Sequence, residues 1–328
     1  MALIVKSFLF IDPSFQDTPT VANDEGTRQF ADQIRSPMQK KIAVIMRGTG
    51  DEAGKTIIKV IRNDGTEQYE VVVNGDAHHW SVNDYGEVLL HTVQNSTREL
   101  VLLTATGEIK WTVDVSGVGI NGVALGTSYA IAFLSGGKVR FYSTADGNLV
   151  NEVNTGAPNL YGPYLCSHDG YWGVCDGGSY TVMFVSKDGE KHWYYFPDDR
   201  GTPHSIDAYA SVAGTYRGYI VFRTGEMMEI GDASDRVWIA PSGDCAMLVR
   251  DQQIELYSIW KTGHSLMTTT SFAEGQSGCI SADLSFYGKY ALILHNSNDV
   301  CVYDLQNATF KDSLHNPFGS RAVMVCAD

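Results

Sequence analysis

The sequence lacks a long uninterrupted apolar run. Residues 1–15 begin as one, but Lys6 interrupts it, and Asp12 and Pro13 end it before a signal-peptide core or cleavage site develops. A membrane-spanning helix needs about 18 apolar residues in a row, and no stretch of the sequence approaches that length. We therefore expect a cytoplasmic protein that is neither exported nor inserted in a membrane.

Positive charge is also scarce. The chain has 24 Lys and Arg residues against 38 Asp and Glu residues, a formal net charge of −14 at pH 7, and its basic residues form no cluster. Binding to nucleic acid or to an anionic membrane surface needs clustered Lys and Arg that displace counterions. The composition therefore predicts that the partners are neither nucleic acids nor membranes.

Cysteine is infrequent and never closely spaced. The chain has 6 cysteines, none of them in a C-x-x-C pair, and each stands singly in an apolar run. A disulfide framework or a zinc site built on cysteines needs denser spacing. We predict six reduced thiols, at Cys166, Cys175, Cys245, Cys279, Cys301 and Cys326.

Catalytic motifs are missing as well. The sequence has no G-x-S-x-G, no Walker A loop, no H-E-x-x-H and no G-x-G-x-x-G motif at the start of a predicted helix. Two acidic pairs, Asp51–Glu52 and Asp198–Asp199, could serve acid–base chemistry, but nothing fixes their separation, and we interpret them as solvated loop charges. We expect no enzymatic activity, no cofactor and no metal.

Glycine, by contrast, is abundant and regularly spaced. The phrases GEIKW (107–111) and GEKHW (189–193) belong to a series of turns that recurs about every 40 residues, the period of propeller blades with four antiparallel strands. This series comprises Gly65, Gly107, Gly147, Gly189, Gly225 and Gly263, with Asn307 in the last place. A second series precedes it by about 20 residues and comprises Gly86, Gly126, Gly170, Gly214, Gly243 and Gly288.

The two series predict an all-β fold, a seven-bladed β-propeller over residues 41–328 that follows an N-terminal extension or arm, residues 1–40. The second series marks the turn between the first two strands of a blade, and it has no member in the first blade. We therefore expect the strand-like residues 321–327 to pair with residues 41–47 and to close the ring. One short helix is expected at 27–34.

Blade five is expected to be incomplete, because Gly214 and Gly225 are closer together than the matching turns of the other blades. The spacing predicts that this blade has lost most of one strand. The run LIVKSFLFI, residues 3–11, reads as a strand that the ring does not use. It is a candidate to cover the outer edge of blade five or of another blade.

Several runs resemble known propeller repeats. KVRFYSTADGNLV (138–150) and DVCVYDLQN (299–307) resemble the third strand and following turn of WD40-type and YVTN-type blades. APSGDCAMLV (240–249) resembles their first turn, and LVLLTATGEIKWTV (100–113) resembles a blade of the PQQ-like propellers. The resemblance covers nearly the whole chain at the level of the fold, and no Trp-Asp dipeptide closes a third strand. It implies a propeller, with no specific family and no cofactor.

Aromatic residues follow some of these turns. Trp111 and Trp193 each stand four residues after a turn glycine, and Tyr69 has the same place in the first blade. An aromatic side chain near the start of an outer strand can pack on the neighbouring blade. We predict that all three are packing residues between blades.

A candidate binding rim follows from the loops that lead into the first strand of each blade, because these loops emerge together around the axial channel. Its residues are His78, His79, Asn121, Tyr161, His204, Arg236 and Arg321. Converging imidazoles can bind a metal, but His78 and His79 are adjacent in an extended segment, so their side chains are expected on opposite sides. We interpret the rim as solvated or protein-binding.

The predicted function is that of a non-enzymatic scaffold for protein partners or a subunit of a larger assembly, with the propeller faces and the arm as docking surfaces. One alternative is a propeller enzyme that acts on a carbohydrate or small molecule at the axial pocket. Another is a structural component of a virion or similar particle. A deep pocket with converging polar groups would favour the enzyme, and an exposed apolar patch would favour assembly.

Overall fold

Strands are the only regular elements in the part of the chain that the computed structural model describes. The described residues are 42–47, 53–61, 67–83, 85–178, 181–196, 202–216, 218–232, 235–250, 252–279, 281–284, 288–297, 299–315 and 323–326. They include no helix, and hence none long and apolar enough to cross a membrane. The expected strand 3–11, the expected helix 27–34, both acidic pairs, Gly65 and Arg321 lie outside them.

The strands form seven four-stranded antiparallel sheets, which confirms the predicted seven-bladed β-propeller. Blade one has the order β28 (Val323–Cys326), β1 (Ile42–Arg47), β2 (Lys55–Ile61) and β3 (Glu67–Asn74). Blade two comprises β4 (Asp76–Val82), β5 (Val88–Gln94), β6 (Thr97–Leu103) and β7 (Ile109–Asp114). Blade three comprises β8 (Ile120–Leu125), β9 (Tyr129–Leu134), β10 (Lys138–Ser143) and β11 (Leu149–Asn154).

The remaining blades repeat this order of consecutive strands. Blade four comprises β12 (Tyr161–Cys166), β13 (Trp172–Asp176), β14 (Thr181–Ser186) and β15 (Lys191–Tyr195). Blade five comprises β16 (Pro203–Ile206), β17 (Val212–Thr215), β18 (Tyr219–Phe222) and β19 (Met227–Glu229). Blade six comprises β20 (Arg236–Ile239), β21 (Cys245–Arg250), β22 (Gln253–Trp260) and β23 (Gly263–Ser271). Blade seven comprises β24 (Ser281–Leu284), β25 (Tyr290–Leu294), β26 (Asp299–Asp304) and β27 (Thr309–His315).

The first strands of neighbouring blades contact one another, from β4 to β8 and onward to β24, so these strands lie innermost. The inner place in blade one is taken by β28, which pairs antiparallel with β1 from Cys326 opposite Ile42 to Val323 opposite Ile45. That is the pairing expected from the sequence. Among the described residues, no apolar cluster joins blade seven to blade one, so closure of the ring stays a prediction.

Six apolar clusters join consecutive blades, because the middle strands are apolar on both faces. Successive side chains of a strand point to opposite faces. In β5, Val88 and Leu90 pack in the cluster shared with blade one, whereas Leu89 packs in the cluster shared with blade three. All three are fully buried. Blades two to six each contribute to two of these clusters, and blades one and seven contribute to one each among the described residues.

Aromatic residues of outer strands lie against turn glycines of the next blade, which explains why the turn phrase recurs. Tyr69 lies over Gly107, where an added Cβ would be 2.7 Å from its ring, and Trp111 lies over Gly147, where the distance would be 2.9 Å. Trp111 also donates from Nε1 to the carbonyl oxygen of Thr144, at 3.1 Å. These contacts confirm that Tyr69 and Trp111 pack between blades.

Trp193 differs from Trp111 despite the similar phrase. In blade two a β-bulge makes Lys110 an extra residue, so that Trp111 lies opposite Leu102 and Ile109 lies opposite Leu103. The matching pair of strands in blade four has no bulge, and a shift of one residue moves a side chain to the other face. Trp193 therefore packs beside the cluster shared with blade three.

Tyr194 takes the place in blade four that Trp111 has in blade two. It packs in the cluster shared with blade five, and its hydroxyl donates to the carbonyl oxygen of Arg223, the first residue after strand β18. The acceptor of Trp111, Thr144, likewise follows the third strand of the next blade. Repeated letters in the sequence thus do not guarantee repeated positions, because one bulge changes the register.

Blade five is complete, so the expectation that it has lost a strand is wrong. Gly214 lies inside β17, and the turn between β16 and β17 has Ala210 where the other blades have glycine, with a φ of 51°. The Asp207 carboxylate stabilises this turn by accepting hydrogen bonds from the backbone N–H groups of Ser211 (2.6 Å) and Val212 (3.2 Å). Four short strands, rather than three normal ones, explain the short spacing.

The last turn of the first series shows a similar substitution. The positive φ expected at Asn307 falls on its neighbour Ala308, at 52°. The Asp304 carboxylate accepts hydrogen bonds from the backbone and side-chain amides of Asn307, at 3.0 and 2.9 Å. A carboxylate that fixes the turn therefore accompanies alanine in both places.

Candidate functional site

The six described residues of the predicted rim all lie in the first half, or at the middle, of an inner strand. They are His78 and His79 in β4, Asn121 in β8, Tyr161 in β12, His204 in β16 and Arg236 in β20. This is the end of the blades at which each outer strand leads into the next inner strand, here called the entry end. The structure thus places them at one end of the propeller, but most of them form separate small clusters.

The first cluster contains three histidines, because a β-bulge places His78 beside a pair of opposed residues, His79 and His91. The His79 ring stacks on the His91 ring with centroids 5.5 Å apart, and the His78 centroid lies 6.1 Å from that of His91. Both adjacent histidines thus lie near His91, and the expectation that only one of them faces the channel stays a prediction. The bulge breaks the simple alternation of side chains.

His91 is the most unusual member of this cluster, since it is buried and neither ring nitrogen has a hydrogen-bond partner. Burial, assisted by the charges of His79, His78 and Arg98, lowers the pKa of His91 to about 4. The ring is therefore neutral at pH 7. Among the described residues, no group of three or more His, Cys, Asp or Glu side chains is arranged to hold a metal ion.

The second cluster brings His204 and Arg236 together through Tyr216. The His204 ring lies between the rings of Tyr216 and Trp238, at centroid distances of 4.6 and 4.3 Å. Arg236 lies 5.1 Å above the Tyr216 ring and donates to the carbonyl oxygen of Cys279, at 3.2 Å. Burial, followed by the charge of Arg236, lowers the pKa of His204 to about 3. Both residues are half-buried, and their role in a rim stays a prediction.

Asn121 also bonds within the fold. Its side-chain amide donates to the carbonyl oxygen of Leu160 in the connection to blade four, at 3.0 Å, and its side-chain oxygen accepts from the Ser135 hydroxyl, at 3.0 Å. These bonds connect blade three to blade four. Tyr161, the residue after Leu160, is exposed, as is His78.

Three aromatic residues of blade four lie at its entry end and are here called the aromatic row: Tyr161 and Tyr195, which are exposed, and Trp193, which is partly buried. A Cβ added at Gly178 would be 3.0 Å from the Tyr161 ring, and one added at Gly177 would be 3.0 Å from the Trp193 ring. Trp193 in turn stacks on Tyr195, with centroids 6.2 Å apart and an interplanar angle of 11°. Tyr161 and Trp193 therefore both lie against the adjacent glycines, Gly177 and Gly178, of the loop that follows strand β13, here called the glycine loop, and Tyr195 lies beside Trp193.

The glycine loop is fixed by hydrogen bonds. The Asp176 carboxylate accepts from the backbone N–H of Gly178 at 2.7 Å, and Thr181 donates from its hydroxyl to the carbonyl oxygen of Gly178 at 2.7 Å. The other Asp176 oxygen accepts from the hydroxyl of Thr202, at 3.3 Å. The backbone N–H and carbonyl oxygen of Gly178 are therefore both held by neighbouring side chains.

Sequence reasoning identified only Tyr161 of this row. It predicted that Trp193 packs between blades, and Trp193 does pack beside the cluster of blades three and four; its contact with Tyr195 was not expected. The available signal was the run WYY at 193–195, at the end of an outer strand, together with the adjacent glycines at 177–178 in the same blade.

A small cleft lies at the opposite end of the inner strands, here called the turn end. Its volume is about 160 Å³ and it lies between blades two, three and four, lined by residues that include Trp80, Asn83, Leu125, Tyr164, Cys166 and His168. Pockets for drug-sized ligands measure about 300–1,000 Å³. The cleft therefore has room for a few atoms only.

No protein-family model matches the sequence, and no characterised protein matches it by sequence. The β-propeller domain of Cps50 (Swd1) from Myceliophteria thermophila matches in structure with a TM-score of 0.53 and 16% identity, over 74% of this chain and 87% of that one. BamB from Moraxella catarrhalis matches with a TM-score of 0.52 and 13% identity, over 83% and 87% of the two chains. A chain of the mitotic checkpoint complex matches with a TM-score of 0.54 and 10% identity, over 76% and 87%. These likenesses show that the chain resembles WD40-type and PQQ-type β-propellers in fold, without a specific family.

Proposed function

We propose that the protein is a non-enzymatic scaffold that binds a protein partner through the aromatic row of blade four. The observation that carries this proposal is the exposure of Tyr161 and Tyr195, at 49% and 65%, at the entry end of blade four. Tyrosine and tryptophan are enriched in protein interfaces and dominate their binding energy. The two exposed tyrosines and the partly buried Trp193 offer a partner apolar surface at the entry end of blade four.

The rigidity of the row supports the same function. Aromatic side chains have few rotatable bonds, and the Gly177–Gly178 loop beneath them is fixed by Asp176 and Thr181. A surface that is already ordered loses little conformational entropy on binding. The partner we expect is a protein segment with aliphatic or proline side chains, because these can stack on exposed rings.

Known propellers of similar fold are consistent with this role. The Swd1 propeller domain and the mitotic checkpoint complex chain support a scaffold by analogy of fold. BamB has a similar fold as well, and a fold by itself does not identify a function. The alternatives of a propeller enzyme and of a virion component stay predictions, and no specific observation in the described residues favours either.

The test compares two double variants of equal chemistry. Tyr161→Ser with Tyr195→Ser removes the ends of the row, and Tyr85→Ser with Tyr209→Ser removes two tyrosines of similar exposure, 45% and 56%, at turns of the other end. Tagged full-length protein is isolated from its native cells, and co-purifying chains are quantified by mass spectrometry.

We expect the unchanged protein and the Tyr85/Tyr209 variant to recover the same partner. The Tyr161/Tyr195 variant should recover at least about tenfold less, because each lost anchor costs more than about 1 kcal/mol. Equal recovery by all three proteins, or no partner with any of them, would contradict the proposal.

A further inference from the structure

The outer strand of blade six, β23, differs from the other outer strands in length and charge. It has 9 residues, GHSLMTTTS, whereas the outer strands β3, β7, β11, β15, β19 and β27 have 3 to 8. It is also the one described outer strand without Asp, Glu, Lys or Arg. Proteins ordinarily protect the unpaired edge of a sheet by shortening the edge strand or by adding charge. Strand β23 has neither protection.

The side chains of β23 are exposed as well. Leu266 and Met267 are 53% and 58% exposed, and Trp260 at the other side of the hairpin tip is 47% exposed. Within the described residues, β23 pairs with β22 alone. Its outer edge therefore presents backbone hydrogen-bonding groups and apolar side chains together, which is what strand addition by an extended segment requires.

We propose that residues 3–11 of the same chain pair with the outer edge of β23 as a fifth strand of blade six. This segment, LIVKSFLFI, lies outside the described residues, and it matches β23 in length. Its alternate positions are apolar on both faces, with Lys6 as the one charged residue. Because β23 contains no Lys or Arg, Lys6 is not repelled by a like charge on the neighbouring strand.

The connecting chain is long enough for this pairing. Residues 12–41 lie between the segment and β1, and when extended they can reach roughly 100 Å. A compact domain of this size is roughly 50 Å across. The other outer strands are shorter and each carries at least one charged residue, so their edges are better protected than that of β23.

Hydrogen exchange measured by mass spectrometry tests the pairing. The full chain is compared with a variant that lacks residues 2–12 and with a full-length variant that has Phe8→Asp and Phe10→Asp. The second variant decides the test if the shortened chain fails to fold. A synthetic peptide of residues 2–12 is then added to the shortened chain, and strand β27 serves as the internal control.

We expect the amides of β23 to exchange at least about tenfold faster in both variants than in the full chain, with β27 unchanged, and the peptide to restore slow exchange. Equal exchange of β23 in all three proteins would overturn the proposal. So would loss of protection in another outer strand. Protection of β23 that depends on protein concentration and survives in both variants would assign the edge to a second copy of the chain and would also overturn it.

Discussion

Replacing Gly147 by alanine tests the packing of aromatic residues on turn glycines. Gly147 has a φ of 74°, and an added Cβ would lie 2.9 to 3.2 Å from three atoms of the Trp111 ring. Gly189 is the matched control, because it occupies the same turn of the next blade with a φ of 94° and no atom within 4 Å of an added Cβ. The two variants share the backbone strain and differ in the close approach.

The magnitudes can be worked out separately. A left-handed conformation costs an alanine about 1–2 kcal/mol, and we expect this loss in the free energy of unfolding for Gly189→Ala. In Gly147→Ala the buried Trp111 ring must also shift, which costs about 1–3 kcal/mol as overpacking. The shift also strains the hydrogen bond to Thr144, which is worth about 1 kcal/mol. We therefore expect Gly147→Ala to be destabilising by about 3–5 kcal/mol.

Urea unfolding followed by fluorescence and circular dichroism measures both losses. A third variant combines Gly147→Ala with Trp111→Leu. Because the clashing ring is gone, the alanine should then reduce the free energy of unfolding by about as much as Gly189→Ala does. If Gly147→Ala and Gly189→Ala agree within about 0.5 kcal/mol, the ring does not rest on the glycine and the packing argument is wrong.

Three further predictions follow from buried groups and from the last strand. Because the pKa of His204 is lowered to about 3 and that of an unfolded histidine is about 6.5, unfolding takes up a proton between these values. The free energy of unfolding should therefore fall as the pH drops from 6.5 towards 3. His204→Phe should reduce this fall by roughly 3 kcal/mol at pH 4. The same pH dependence in thermal melts of both proteins would contradict the prediction. Burial, followed by the Asp176 carboxylate, raises the pKa of Cys175 well above its usual value. Iodoacetamide should therefore modify this thiol only after unfolding, and modification of the native protein at Cys175 would refute this. Removal of residues 320–328 deletes β28 and leaves β1 unpaired on its inner side, so the protein should become insoluble, whereas a soluble product as heat-stable as the full chain would show that the pairing is dispensable.

The seven sheets could be predicted because turn glycines adopt positive φ values that other residues avoid. Gly86, Gly107, Gly147 and Gly170 all have φ between 73° and 84°, and their spacing reports the blades directly. The prediction failed where another residue took the glycine's conformation. At Ala210 the turn is fixed by Asp207 instead, and a carboxylate acceptor is not visible as a spacing signal.

The candidate site was harder to predict, because side-chain direction depends on β-bulges. One bulge places His78 and His79 near the same neighbour, His91. The absence of another places Trp193 on the side of blade three and Tyr194 on the side of blade five. A bulge changes the register by a single residue and needs no particular amino acid. Strand number therefore follows from the sequence more readily than the face on which a given aromatic residue lies.

Hydroxyl-radical footprinting of the native complex tests the proposed binding surface most directly. The oxidation rates of exposed tyrosines are compared between the isolated protein and the protein that is still bound to its co-purified partner. We predict that Tyr161 and Tyr195 become severalfold less reactive in the complex, as expected for residues buried at an interface, while Tyr85 and Tyr209 keep their rates. Unchanged rates at Tyr161 and Tyr195, or protection of Tyr85 and Tyr209 in their place, would contradict the assignment of the aromatic row as the docking surface.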